Sequence, residues 1–466
     1  MSPVDVRRLA AGTLMPGFVG TTAPDWLLDA FDDGLAAVCL FGTNLVSWDQ
    51  LAALCTQLRR RSPHALLSVD EEGGDVTRLH YLAGSNQPGN AVLGRIDDVH
   101  VTAAAASAIG MELAAFGINL NLAPDADVNS ADENPVIGVR SFGADPVHAA
   151  RHTVAWVEGL QLAGVAACAK HFPGHGDTHD DSHLALPRVK APLQTLLERE
   201  LLPFKAAAMA GVGSIMTSHI VVEALDPANP ATFSPIVLQD ILRGQLGFKG
   251  AVITDALDMV GASGVIGIPA AAVRALAAGA DLLCIGSETT ARQYQDVLEG
   301  VVAAVAEGTL PLARLQDAAA RTAKLAGDFP AHSGAAVNSS AAIPAAAEIR
   351  STFDLSATAD TWLADPSPAA VVQLETQANF AVGTVPWGPA ATGGTVPQES
   401  LNPGQKVALV GRGLDADHPV WALAQALRSA GHNTITVECG WPRGGADIVS
   451  YGASLAVSTA LMELLL

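Results

Sequence analysis

From the N-terminus to about Gly327, short apolar runs alternate with longer helix-like segments, and this rhythm constrains the fold more than any other feature. Parallel strands cannot be joined by tight hairpins; each needs a crossover, and a helix is the usual one. Eight runs fall at 13–19, 37–41, 65–69, 118–123, 165–169, 213–217, 251–254 and 281–285. Strand–helix units in that number predict a closed (β/α)8 TIM-like barrel within the α/β class. Polar residues follow the runs: Asp70 after the third, Asp127 past the fourth, Lys170 and His171 after the fifth, His219 after the sixth, Asp255 after the seventh. In a barrel those strand ends share one rim, so residues remote in sequence meet around a single pocket. Taken singly, each can equally cap a helix or sit in a buried ion pair.

The segment after the fifth run is the densest in reactive groups. Lys170-His171-Phe172-Pro173-Gly174-His175-Gly176-Asp177-Thr178-His179-Asp180-Asp181-Ser182-His183 holds four histidines, three aspartates and a lysine. Pro173, Gly174 and Gly176 oppose a regular helix, so the polar groups converge through a shaped loop. Three readings of it stand open. The spacing of His175, His179 and His183 is that of imidazoles on one helix face, as in a metal site, although Gly176 opposes that helix. Asp181 and His183, two residues apart in an extended segment, suit a carboxylate that orients an imidazole for proton transfer. The third reading is a solvated polar loop without chemistry.

At 466 residues the chain exceeds one ordinary domain. Beyond Phe329 the texture becomes polar and small-residue, and residues 330–346 read as a linker. A second unit follows, with strand-like runs at 370–374, 407–410, 434–437 and 447–449 and amphipathic stretches at 420–429 and 454–465. The expected division is therefore a barrel over 1–329 and a small α/β domain over 347–466. Gly411-Arg412-Gly413 is too little for a dinucleotide site, because the rest of the fingerprint is missing. The 47 acidic residues against 26 basic give a net charge of −21, which disfavours nucleic acid and anionic membranes as partners. Five scattered cysteines form no paired motif and mostly lie in apolar runs, as in a reducing compartment. Neither a signal-like apolar core nor a membrane-length run is present, so the expected location is cytoplasmic.

Four stretches together resemble glycoside hydrolase family 3, and more narrowly its β-N-acetylglucosaminidase branch. They are the 170–183 loop, Val69-Asp70-Glu71-Glu72-Gly73-Gly74, Asn134-Pro135-Val136-Ile137-Gly138-Val139-Arg140-Ser141-Phe142-Gly143, and Ile253-Thr254-Asp255-Ala256-Leu257-Asp258-Met259. The resemblance covers roughly the first 330 residues in the same order, and the Asp181-Ser182-His183 ending separates this branch from the β-glucosidases. It implies Asp255 as nucleophile and His183, partnered by Asp181, as general acid/base. Asp70, Arg78, Arg140, Lys170 and His171 match positions that hold the N-acetylglucosamine (GlcNAc) ring. No metal or other cofactor is implied. Two positions depart from the family pattern, which commonly has Gln and Arg where this chain has Glu71 and Asp75.

The activity so implied is a retaining exo-β-N-acetylglucosaminidase acting on GlcNAc-terminated fragments of cell wall or chitin, its partner being that oligosaccharide. The alternatives are a phosphorylase that gives the sugar 1-phosphate and a sugar-binding relative without catalysis. Sequence leaves the oligomeric state undefined.

Overall fold

A computed structural model describes residues 3–179, 186–331, 343–376 and 381–466. Eight short parallel strands of the first half build its barrel: β1 (Leu14–Met15), β2 (Ala37–Leu40), β3 (Leu66–Val69), β4 (Leu120–Asn121), β5 (Ala166–Phe172), β6 (Ser214–Thr217), β7 (Ala251–Thr254) and β8 (Leu283–Cys284), while Arg188–Val189 and Val221–Val222 pair separately. Strands β2 to β7 pair in sequence order. The sheet curls on itself, because β8 pairs with β1, the Leu282 N–H donates to Val252, and the Cys39 N–H donates to the Pro16 carbonyl at 3.0 Å. Each expected run overlaps one of these strands. Strand β1 is shorter than its run for a local reason: Pro16 lacks an N–H, so its ladder stops at Met15.

Alternation along the strands separates two cores. Ala37, Cys39 and Leu66 point inward with Met15, Leu120, Ala166, Met216 and Ile253, filling the barrel. Their neighbours Val38, Leu40, Leu67 and Val69 face the surrounding helices. Strand β5 extends further than its apolar run, taking in Lys170 and His171, and its register to β6 shifts between Ala169 and Phe172. Such an irregularity re-aims side chains at a barrel rim.

The later residues form a second, five-stranded sheet. Strands β10 (Ala369–Gln373), β11 (Lys406–Gly411), β12 (Asn433–Glu438) and β13 (Ile448–Val449) run parallel, and β9 (Asp354–Leu355) adds to the β13 edge antiparallel. The edge strand has no signal in the sequence, since its two residues are both exposed and carry no alternation. Helix Leu455–Leu465 packs on helix Ala346–Arg350. Their apolar cluster also takes in Ala91 and Val92 of helix Asn90–Ile96, so the second sheet rests on the segment that follows β3. Among the described residues no helix is long and apolar enough to cross a membrane.

Candidate active site

The strand ends surround a cavity of about 400 Å³ lined by Asp70, Arg78, Arg140, Lys170, His171 and Asp255. These residues come from five places in the chain: after β3, on the loop beyond it, on the loop after β4, at the end of β5 and after β7. Asp181 and His183, the expected acid/base pair, lie outside the described residues. His219 is not part of the wall. Its ring contacts the Thr232 hydroxyl at 2.9 Å and the Ala256 carbonyl at 3.0 Å, bracing the turn that carries Asp255. The Asp255 carboxylate accepts the Ala256 N–H at 2.8 Å, and its own N–H donates to Thr217 on β6.

A buried charge network forms the floor, and its hub is Glu72, which the sequence reading did not single out. Arg140 donates to both Glu72 oxygens, at 2.9 and 2.7 Å. Lys170 Nζ lies 2.7 Å from Glu72 Oε1 and 2.6 Å from Asp70 Oδ1. Burial alone would favour the neutral acid at Glu72, but the Arg140 and Lys170 cations override it and hold the carboxyl well below the usual range. Burial likewise opposes the charge on Lys170, yet Asp70 and Glu72 keep its ammonium even more firmly protonated than usual. The result is a rigid rim of paired charges suited to a sugar's hydroxyl groups, which need donors and acceptors at fixed places. One signal for Glu72 was available: it sits two residues from Asp70 in an extended stretch, hence on the same face.

Asp127 orders the 170–176 segment from behind. It accepts the His171 Nδ1 contact at 2.7 Å and the His175 N–H at 2.6 Å. Burial disfavours its charge, but His171 outweighs that and keeps the carboxyl ionised below its ordinary value. His175 goes the other way: burial pushes its imidazolium down to about 4, so its ring is neutral and bonded to Thr178 at 2.8 Å. Gly174, with φ at 126°, has space for no side chain, since a Cβ there would lie 2.8 Å from that of Glu200. Glu200 is buried, one oxygen lacks a partner, and burial lifts its carboxyl to about 7. Asp125 is also raised, by burial and then by the charge of Asp127.

Two family departures now have physical roles. Glu71 does not line the pocket; its carboxylate collects the Thr77 hydroxyl at 2.9 Å and the Arg78 and Leu79 N–H groups at 2.7 and 2.8 Å. It therefore fixes the backbone around Arg78. Asp75 faces the second sheet, accepting the Ala453 N–H at 2.8 Å with Arg412 at 3.6 Å. That sheet also reaches the cavity, because Arg78 donates to the Ala381 carbonyl at 2.7 Å and Ala381 lines the wall.

With this geometry in view, residues 23–325 match the model of the glycosyl hydrolase family 3 N-terminal domain. The chain belongs to glycoside hydrolase family 3. A family 3 β-N-acetylglucosaminidase structure from Paenibacillus sp. str. FPU-7 aligns over 98% of this chain and 96% of that one, with a TM-score of 0.87 and 31% identity. NagZ from Neisseria gonorrhoeae, solved with N-trifluoroacetyl-D-glucosamine, aligns over 68% of this chain and 98% of that one, with a TM-score of 0.55 and 30% identity. A curated relative, β-hexosaminidase A of Pseudoalteromonas piscicida, is 34% identical over 330 residues, covering 65% of this chain. The chain spans 55% of that relative's length. In family 3 terms, then, this is a glycoside hydrolase with a TIM-like barrel.

Proposed function

We propose that the protein is a retaining exo-β-N-acetylglucosaminidase that releases GlcNAc from the ends of cell-wall or chitin fragments. The observation that carries this reading is the cavity itself: Asp70, Arg78, Arg140, Lys170 and His171 gather around Asp255 at the strand ends of a family 3 barrel. The β-hexosaminidase and β-N-acetylglucosaminidase relatives support the same substrate class.

In this reading the Asp255 carboxylate attacks the anomeric carbon while protonated His183 gives its proton to the departing oxygen, leaving a glycosyl ester on Asp255. Neutral His183, oriented by Asp181, then takes a proton from water as the water oxygen attacks the same carbon and releases Asp255. Two inversions give net retention. Asp70 and Lys170 hold ring hydroxyls, Arg140 and His171 line the same side, and Arg78 fixes the outer edge. Water is the acceptor we favour over phosphate. Arg140 and Lys170 are both engaged by Glu72, so neither offers a free charge to an anion. The same carboxylate-and-histidine set argues against a purely sugar-binding role, which needs no nucleophile.

The expected organisation is a catalytic unit over 1–329, a linker over 330–346 and a small α/β domain over 347–466. A cytoplasmic location fits five cysteines that are all free and buried.

The test compares aryl β-glycosides of GlcNAc and glucose, with the anomer of the first product followed by NMR. GlcNAc is expected to lead by orders of magnitude in kcat/KM, with the β-anomer formed first. Equal handling of glucoside, or an α-anomer first product, would reject the assignment.

A further inference from the structure

On the outer face of the barrel, away from the sugar pocket, Asp97, His148 and His152 bring three ligand atoms within 4.8 Å of one another. His148 and His152 stand one turn apart on helix Pro146–Leu162, the spacing that lets two imidazoles share one ion. Asp97 closes helix Asn90–Ile96 in the left-handed conformation, φ 57°, which turns its carboxylate toward them. We propose that Asp97, His148 and His152 form a binding site for a divalent transition-metal ion, zinc by its ligand chemistry, that pins the loop carrying Arg140.

The two edges from Asp97 fit that ion. Tetrahedral zinc with bonds of about 2.0–2.1 Å requires ligand-to-ligand edges of about 3.3–3.4 Å. Asp97 Oδ1 lies 3.4 Å from His148 Nδ1 and 3.5 Å from His152 Nε2. Without an ion, His152 Nε2 and Asp97 Oδ1 stand at the long end of the hydrogen-bond range. The outer groups agree. Thr102 Oγ1 lies 2.8 Å from His152 Nδ1 and 3.4 Å from the Asp98 carbonyl. In the metal-bound form the hydroxyl donates to that carbonyl and Nδ1 keeps the ring proton, which gives the Nε2 lone pair to the ion.

The present counter-cation is Arg151, 2.8 Å from Asp97 Oδ1 and 3.3 Å from His148 Nδ1. Its side chain is half exposed, free to swing into solvent and leave the fourth corner to water. The link to the pocket runs through stacking: the Phe142 ring lies on His152, centroids 5.5 Å apart and planes at 25°, two residues from Arg140.

The test uses the full chain, stripped by a chelator, and titrates zinc ions alone against a chromophoric chelator while following the melting temperature. Wild type is expected to take up one equivalent and to melt higher with it. His148→Ala and Asp97→Asn, both at partly exposed positions, should each lose that equivalent or bind it roughly 100-fold more weakly. Thr102→Val should weaken it about 10–100-fold. Arg151→Ala should bind more tightly, since the competing cation is gone. No bound equivalent in wild type, or equal uptake by the His148 and Asp97 variants, overturns the proposal. So does weaker binding in Arg151→Ala. None of these readouts depends on glycosidase activity.

Discussion

Replacing Glu72 by glutamine removes one negative charge and almost no volume from the floor of the pocket. In the wild type that charge lies between two buried cations, with both Arg140 contacts and the Lys170 contact under 3 Å. Afterwards Lys170 keeps Asp70 at 2.6 Å, but the carboxylates left to Arg140 are Asp125 at 3.7 Å and the more distant charge of Asp127, itself engaged by His171. Asp125 is itself pushed toward the neutral form by burial and by Asp127, so Arg140 loses its directly bonded counter-charge. Breaking a buried pair by removing one partner costs about 3–5 kcal/mol, well beyond a surface bridge. Urea unfolding followed by fluorescence should show that loss as a shift in midpoint at unchanged slope. The sign with pH is fixed. The folded-state carboxyl lies below its ordinary value, so its contribution is complete above the unfolded value of about 4.3 and fades as pH falls through the folded one. The difference between wild type and variant should be flat from about pH 5 to 8 and shrink below about 4. Turnover of a nitrophenyl GlcNAc glycoside should fall at least about 100-fold, because two substrate-facing cations lose their common anchor. A variant that loses less than about 1 kcal/mol and keeps its kcat/KM would refute the view of Glu72 as hub.

Asp255→Ala should abolish turnover of good and poor leaving groups alike, measured on nitrophenyl glycosides and disaccharides; near-wild-type hydrolysis by the folded variant would remove Asp255 from the nucleophile role. His183→Ala should lose far more on disaccharides than on aryl glycosides whose leaving groups need little protonation, and equal losses would point to a structural role instead. Glu200 has a carboxyl raised to about 7, so its favourable neutral form is complete below about pH 4 and is lost as pH rises through 7. Denaturation across pH 5–8 should therefore show wild type losing about 1–3 kcal/mol relative to Glu200→Gln, and parallel pH profiles would contradict this.

The rhythm of apolar runs was enough to locate the strands, because alternate residues such as Val38 and Cys39 must satisfy two different cores and the sequence cannot hide that demand. The rim was legible for the same reason: a polar residue directly after a buried strand has few places to go. What stayed hidden depended on long-range pairing. Glu72 read as one acid in a Glu-Glu-Gly-Gly run, and only the fold brings Arg140 and Lys170 to it. Asp75 read as an oddity of specificity, whereas its partners are Ala453 and Arg412, more than three hundred residues away. His148 and His152 drew no comment in the sequence, and only the fold sets Asp97, from the end of another helix, beside them.

The bond from Arg78 to the Ala381 carbonyl has a consequence for how such an enzyme changes over time. A guanidinium in the pocket wall is steered by backbone from outside the barrel strands. NagZ from Neisseria gonorrhoeae aligns almost completely with only 68% of this chain. In the present protein the outer edge of the pocket is shared property. Insertions or substitutions around 381–388 can reshape which aglycones fit while leaving Asp255 and its rim untouched, so drift in the appended sheet becomes a route to new substrates that bypasses the constrained barrel.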